Sequence, residues 1–335
     1  MGTGAIEPLV WDTIEQNIRG GHCVPFLGAG VNVGAGLDGL PLGGEVASRL
    51  AAKFAGQDDL LENLIRVDQA VDELLTALME LVAAEQREGL KANYRDLFRL
   101  RAYDLARVAL HAESKVGKPS LVQWLQQILP DEQREPSRVL RTIAALPVRL
   151  VVTTNYDRLM ERAYELEGQP EPLVVCQPLA GFDGREQRAW ERQLSQLIPE
   201  QMTPREPGER PIIYKIHGSF GPGGGGLVVS EDDYIEFLNV MSPTSRRGMP
   251  PLIGGLLTGS SLLFLGFGLE DWDFRTIHKA LIERQERDEQ WRSFALQKWP
   301  TPFWQQVWSK RGVEIYDCDL RDFAEELRQR FGMPQ

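Results

Sequence analysis

The chain has 335 residues and a formal net charge of −11, and hydrophobic residues make up 42% of it. This hydrophobic content supports a sizeable core and excludes general disorder. The acidic balance repels nucleic acid and anionic membranes, so we expect no direct contact with either. The length suits two average domains or one large α/β domain with an insertion.

The chain contains only three cysteines, Cys23, Cys176 and Cys318, and none of them lies in a Cys-x-x-Cys pair. This pattern predicts neither a structural zinc site nor a disulfide framework. The first twenty residues lack the apolar stretch of a signal peptide, and no run approaches the roughly 20 apolar residues of a membrane span. We therefore expect a soluble, cytoplasmic protein.

The first predicted elements are a helix at Pro8–Arg19 and a buried strand at Cys23–Leu27, which leads directly into a glycine-rich turn. From residue 58 to 130, apolar residues recur at three- and four-residue steps without any strand signal. This periodicity predicts a helical insertion. Further helices are predicted at Glu45–Phe54, at Tyr94–Ala112 and from Pro119 onward.

After the insertion, strands and helices alternate, which predicts a Rossmann-like parallel sheet covered by helices on both faces. The polar, proline-containing segment Gly181–Arg210 is predicted to be a mobile excursion. The expected strands are Val148–Val152, Leu173–Cys176, Ile212–Ile216, Leu227–Val229, Leu262–Leu265, Arg292–Leu296 and Val313–Tyr316. The expected helices are Tyr156–Leu166, Asp232–Val240, Asp273–Glu289, Pro302–Lys310 and Asp319–Phe331.

Small or polar residues follow four of these strands where each strand ends. The segments are Gly28-Ala29-Gly30, Thr153–Asp157, Lys215–Gly218 and Gly266-Phe267-Gly268. In an open α/β sheet, ligands bind at the carboxyl ends of the strands, so convergence of these segments would form a nucleotide pocket. The glycines let phosphate approach the backbone, although a Gly-x-Gly pair is also common in ordinary turns. The third glycine of the dehydrogenase fingerprint is missing, which disfavours hydride transfer.

Three side chains in these segments are candidates for chemistry. Asn155 can hold a ribose hydroxyl, a carboxamide or a water, because an amide both donates and accepts. Asp157 can accept from a carboxamide nitrogen, although both residues also suit a helix cap. His217 has a reference pKa of about 6.5, which suits a general base near neutrality, and its alternative is a structural histidine.

Taken together, the segments resemble the sirtuin superfamily. Gly28–Gly30 is similar to its Gly-Ala-Gly phosphate loop. Thr153–Asp157 is similar to its Thr-Gln-Asn-Ile-Asp element, with Thr154 in place of the glutamine. His217-Gly218 matches its catalytic His-Gly pair, and Leu265–Gly268 resembles the late glycine strand end that lines the ribose of the cofactor.

Two departures separate the chain from the protein-deacylating sirtuins. It cannot build their four-cysteine zinc ribbon, and Leu37–Pro41 stands in place of their Pro-Asp-Phe-Arg stretch. The chain looks closer to the bacterial sirtuin-like proteins of antiphage defence systems, which carry an inserted helical block and generally hydrolyse NAD. The resemblance implies one catalytic domain over residues 1–335, with 58–130 as the insertion and no zinc.

For the individual residues, the resemblance implies that Asn155 positions the attacking water or the nicotinamide ribose and that Asp157 holds the carboxamide. His217 would be the general base. The reaction would cleave the nicotinamide–ribose bond of NAD to nicotinamide and ADP-ribose, an activity that depletes NAD in infected cells. The expected cofactor-binding positions are Gly28, Ala29, Gly30, Thr154, Asp157, Gly218, Gly266 and Gly268.

Two alternatives remain open at this point: an NAD-dependent protein deacylase, and a non-enzymatic module that binds NAD or ADP-ribose and assembles a complex. A toxic hydrolase must be restrained, so we expect self-assembly into a homo-oligomer or a separately encoded partner. In related systems the partner is a HerA-type ATPase, an Argonaute-like protein or another sensor. The helical insertion is the candidate interface.

Overall fold

The computed structural model describes residues 6–32, 40–54, 104–199, 201, 203–221, 226–242, 245, 247–268, 272–279 and 291–334, with isolated positions between 66 and 81. Within these residues, seven parallel strands form one sheet. The strands are β1 (Cys23–Leu27), β2 (Leu150–Thr153), β3 (Leu173–Cys176), β4 (Ile212–Lys215), β5 (Ser261–Leu265), β6 (Ser293–Gln297) and β7 (Val313–Asp317).

The helices cover both faces of this sheet. The α-helices of the described residues are α1 (Pro8–Arg19), α2 (Gly43–Ala52), α3 (Leu105–Val116), α4 (Lys118–Ile128), α5 (Arg138–Ala145), α6 (Leu159–Leu166), α7 (Gly184–Leu194), α8 (Glu231–Val240), α9 (Pro251–Thr258), α10 (Trp272–Ile277), α11 (Pro302–Ser309) and α12 (Leu320–Arg330). Helices α1, α5, α6 and α12 contribute to the core on one face, and α7 to α11 to the core on the other.

The sheet separates two hydrophobic clusters because successive strand residues point to opposite faces. Phe26 and Val152 pack in one cluster, and their neighbours Leu27 and Val151 pack in the other. Strands that are buried on both faces read as continuous apolar runs, which is why β1, β2 and β5 were visible in the sequence. The predicted Rossmann-like α/β class is therefore confirmed.

The strand order is β3-β4-β2-β1-β5-β6-β7, so β2, β4 and β3 lie on one side of β1 and β5, β6 and β7 on the other. The order reverses between β1 and β5. In doubly wound sheets, such a reversal opens a crevice at the carboxyl ends of the two strands, and ligands bind there. The topology therefore places the candidate site at the ends of β1, β2, β4 and β5.

Helices α3 and α4 lie within the predicted insertion and pack on α2 in a third hydrophobic cluster. The helix predicted at Tyr94–Ala112 begins at Leu105, and its part before residue 104 lies outside the described residues. So does the part of the predicted helix Asp273–Glu289 that follows residue 279. The division of the chain into one domain with an insertion stays a prediction.

Two predictions of local structure were wrong. The segment Leu227–Val229 is irregular rather than a strand. Leu227 and Val229 pack in the cluster with α2 to α4, whereas Val228 packs in a core of the sheet, and the segment does not join the sheet. The supposed mobile excursion at Gly181–Arg210 contains α7, which starts at a capping box formed by Asp183 and Glu186. Its polar composition reflects a helix with one wide solvent-facing side.

None of the helices built from described residues combines the length and apolar character needed to cross a membrane.

Candidate functional site

Four strand ends meet at one edge of the sheet. Leu27, the last residue of β1, is in register with Thr153 of β2 on one side and with Leu265 of β5 on the other. Thr153 is in turn in register with Lys215, the last residue of β4. The four segments singled out in the sequence therefore leave the sheet side by side, as expected for a site at the switch point.

The glycines at this edge allow two backbone segments to touch. Gly28 N donates to Leu265 O at 2.9 Å, and Gly30 N donates to Gly266 O at 2.8 Å. A Cβ on Gly28 would lie 2.6 Å from Gly266 O, and one on Gly30 would lie 2.8 Å from Gly266 Cα. These positions accept no side chain, because backbone atoms occupy the space that it would need.

Substitution Gly266→Ala is expected to destabilise the protein by at least about 2 kcal/mol. Gly266 has φ +75°, and a Cβ there would lie 2.4 Å from Val31 N, so the change adds both strain and a clash with backbone. Urea unfolding measures the loss. Gly255→Ala in α9 is the matched control, because its Cβ meets nothing within 4 Å. Equal stabilities of the two variants would contradict the prediction.

The loop after β2 is attached to the glycine loop by side-chain hydrogen bonds. Thr153 Oγ1 donates to Leu27 O at 2.9 Å and accepts from Asn155 N at 3.0 Å. Asn155 Nδ2 donates to Gly28 O at 3.2 Å, and Thr154 N donates to Leu27 O. The half-buried Asn155 is therefore held at the mouth of the crevice, beside the glycines.

Asp157 points inward. Its Oδ2 accepts from Asn32 Nδ2 at 2.8 Å, and its Oδ1 accepts from Leu159 N at 3.0 Å, which is where α6 begins. Burial raises the pKa of the carboxyl group from 3.8 to about 6. The Lys215 charge and the Leu159 N–H oppose this rise, whereas the charges of Glu161 and Asp131 add to it.

Lys215 is a fully buried cation at the end of β4 that sequence reasoning did not assign a role. Its Nζ donates to Asp157 O at 2.5 Å and to Ser219 Oγ at 3.2 Å, and it forms an ion pair with Glu161 at 2.8 Å. Lys215 thus connects the loop after β2 to the turn after β4. A lysine inside the apolar run Ile212–Ile216 was the available signal, because lysine is rarely buried unless it is paired.

His217 lies two residues beyond the end of β4 and is buried. Its ring meets the rings of Tyr234 and Phe237 of α8 edge to face, with centroids 5.5 Å and 5.1 Å away. Its carbonyl accepts from Val228 N, and Gly218 turns the chain with φ +81°. The aromatic pair fixes the orientation of the imidazole.

The third hydrophobic cluster borders the same site. Tyr156 belongs to it and donates its hydroxyl proton to Val228 O at 2.6 Å. Lys118 at the start of α4 forms an ion pair with the buried Asp233 in the first turn of α8, the helix that packs against His217. Packing and charge thus connect α4 to the surroundings of the imidazole.

The structure brings nearly all the predicted site residues to this edge: Gly28, Ala29, Gly30, Thr154, Asn155, Asp157, His217, Gly218 and Gly266. Gly268 follows on the same loop after β5, directly before the undescribed residues 269–271. The roles of these residues remain predictions. In the part of the chain that the structure describes, no three His, Cys, Asp or Glu side chains are grouped as a metal site would need.

A separate cavity of about 700 Å³ lies along the outer side of α6 and is lined by Asp131, Arg158, Arg162 and Glu165, among others. It does not include the glycine loops, Asn155 or His217. Glu161 lines it and also pairs with Lys215, and Asp131 lines it and raises the pKa of Asp157, so the cavity borders the site through these two carboxylates. The sheet edge remains the candidate site, because the polar strand ends converge there.

A parallel sheet whose switch point carries two glycine loops, an amide and an imidazole defines an α/β protein of the Rossmann-like class. The SIR2-like domain family matches residues 149–316, half of the chain, and the chain belongs to this family. The match runs from the start of β2 into β7 and includes Asn155 and His217. The predicted membership of the sirtuin superfamily is thereby confirmed.

Two relatives are similar to part of this chain. The chain is 24% identical over 149 residues to the NAD(+) hydrolase ThsA of Bacillus cereus (strain MSX-D12), which covers 44% of this chain and 25% of that protein. It is 29% identical over 150 residues to the NAD(+) hydrolase ThsA of Enterococcus faecium, covering 44% of this chain and 26% of that protein. The matches thus span about a quarter of the length of these relatives.

Proposed function

We propose that this chain hydrolyses NAD to nicotinamide and ADP-ribose. The observation that carries the proposal is the position of Asn155 and His217. They follow the adjacent strands β2 and β4, on two loops that Lys215 connects through Asp157 O and Ser219 Oγ. The family assignment and the two relatives named as NAD(+) hydrolases support the same chemistry.

In the proposed reaction the bond between ribose C1′ and the nicotinamide nitrogen breaks, and its electron pair neutralises the pyridinium. Water attacks C1′ through an oxocarbenium-like state and loses its proton to His217, which passes it to solvent. Asn155 holds the water or a ribose hydroxyl. Positioning and electrostatics carry most of the rate, because the leaving group departs as a neutral molecule.

The glycine loop is proposed to hold the diphosphate. The N–H groups of Gly28 and Gly30 already donate to β5 and the loop after it, so they are not the phosphate donors. Among the described residues, no acceptor pairs with the N–H of Ala29, which lies on the exposed side of the loop. We propose that this N–H donates to the diphosphate.

Asn155→Ala tests this function and is expected to lower the rate of NAD cleavage by about 100-fold or more, because positioning of the reacting groups is lost. Chromatography of nicotinamide and ADP-ribose measures this rate. The assay is run with the chain alone and with the chain mixed with the products of neighbouring genes. Asn17→Ala, near the amino end of β1, is the matched control. The proposal fails if the wild-type chain leaves NAD intact in every mixture.

We further propose that the hydrolase serves a bacterial antiphage system and is restrained by self-assembly or by a partner that contacts the helical insertion. The ion pairs of α3 and α4 with α8 support this choice. Arg107 pairs with Glu231 at 3.1 Å, and Lys118 pairs with Asp233. A partner that shifts α3 or α4 would act through α8 on the aromatic residues against His217.

A further inference from the structure

Asn32 lies two residues after Gly30 of the glycine loop and was not assigned a role by sequence reasoning. It lies in the 3-10 helix Ala29–Asn32, its side chain is buried, and Nδ2 donates to Asp157 Oδ2 at 2.8 Å. An ionised carboxylate only accepts hydrogen bonds. Asp157 therefore fixes the direction of the amide, with the nitrogen toward the carboxylate and Oδ1 turned away from it.

Asn32 Oδ1 is a buried acceptor for which none of the described residues supplies a donor. Leaving such an atom unpaired disfavours folding, so an orphaned acceptor in a native structure calls for an explanation. Asn32 lies next to the glycines at the switch point, where a ligand of this sheet binds. The missing donor is thus expected to come from the ligand.

Asp157 is less well placed to supply the acceptor itself. Each of its oxygens already receives a hydrogen bond, one from Leu159 N and one from Asn32. Among the described residues, the acceptor that lacks a donor is therefore Asn32 Oδ1 and not an oxygen of Asp157.

We propose that Asn32 Oδ1 accepts a hydrogen bond from the carboxamide NH2 of the nicotinamide ring and selects carboxamide over carboxylate. This inference rests on the proposed function. Asp157 then acts as a positioning residue that orients Asn32. A carboxylate in place of the carboxamide has no proton to donate, and it would bring a second negative charge close to Asp157.

The test compares hydrolysis of NAD and of nicotinic acid adenine dinucleotide, which carries the carboxylate. We expect the wild-type chain to prefer NAD in kcat/KM by about tenfold or more, because a site built around a hydrogen bond rejects an analogue that lacks it. In Asn32→Ala, kcat/KM for NAD should fall and the preference should approach one.

Gln177→Ala is the matched control. Gln177 is also a buried amide at the sheet edge, directly after β3, but its Oε1 accepts from Tyr214 and its Nε2 donates to Pro178 O. This variant should keep the preference for NAD. Circular dichroism reports whether each variant folds.

The possible failures are distinguishable. If the wild-type chain consumes neither dinucleotide, the proposed function fails; if an active Asn32→Ala chain keeps the full preference, only the role of Asn32 is overturned. If Asn32→Ala does not fold, the role of Asn32 is tested by comparing how strongly free nicotinamide and nicotinic acid inhibit the wild-type chain. Stronger inhibition by nicotinamide supports the assignment, and equal inhibition overturns it.

Discussion

Substitution His217→Gln is expected to lower kcat for NAD hydrolysis by about 10²- to 10⁴-fold, the usual contribution of a general base. Glutamine fills most of the imidazole volume beside Tyr234 and Phe237 but takes up no proton near neutral pH. The KM for NAD should change much less than kcat, because the base acts on the proton that moves in the transition state. Steady-state kinetics with nicotinamide release as the readout measures both constants.

The control for this experiment is Tyr234→Phe, which keeps the ring that packs on the imidazole. Its kcat should stay within a few-fold of the wild-type value, and its thermal unfolding should resemble that of His217→Gln. If a folded His217→Gln chain kept full activity, His217 would have only a structural role, in packing against α8.

Lys215→Met is expected to produce the second large effect. The methionine fills the buried space, but Asp157 O and Ser219 Oγ lose a donor and Glu161 loses its cation. Breaking a buried ion pair from one side costs several kcal/mol, and partial exposure of Glu161 reduces this to about 2–3 kcal/mol. Urea unfolding measures the loss. Adding Glu161→Gln should restore part of it, and a double variant no more stable than the single one would contradict the account.

The same substitution should change the pH dependence, because the Lys215 charge lowers the pKa of Asp157. Burial raises that pKa to about 6 in the folded chain, above the unfolded value near 3.8. The folded state thus holds the carboxyl proton of Asp157 more tightly than the unfolded state does. The protonated carboxyl therefore contributes to the free energy of unfolding at low pH, and this contribution is lost as pH rises through 6. Lys215→Met raises the pKa of Asp157 in the folded chain further, so the loss of this stability contribution extends to higher pH.

The pH dependence of activity should also shift to higher pH in Lys215→Met. Activity is lost at low pH, because a protonated Asp157 can donate a hydrogen bond and no longer fixes the amide of Asn32. The acidic limb of the rate profile is expected to move to higher pH in Lys215→Met and to move much less in Lys215→Arg, which keeps the charge. A profile with the same acidic limb in all three chains would show that Lys215 contributes packing alone.

The sequence by itself determined the strands and the end of each strand where function could lie. Continuous apolar runs such as Cys23–Leu27 marked strands buried on both faces, because a parallel sheet leaves neither face in water. The glycines and the polar residues Asn155 and His217 marked the strand ends, since small and polar groups suit backbone turns and ligands. These signals are local, so they needed no knowledge of what packs against what.

Only the tertiary structure decided which of these groups meet. The contact between Asn32 and Asp157 joins residues 125 positions apart, and the bond from Lys215 to the Asp157 carbonyl depends on the register of β2 against β4. Leu227–Val229 has the composition of a strand, yet its side chains are divided between a core of the sheet and the cluster with α2 to α4, and this packing overrides its β propensity. Neighbours across a sheet are set by long-range pairing, which local sequence does not encode. Asn32 and Lys215 therefore appeared as functional candidates only in three dimensions.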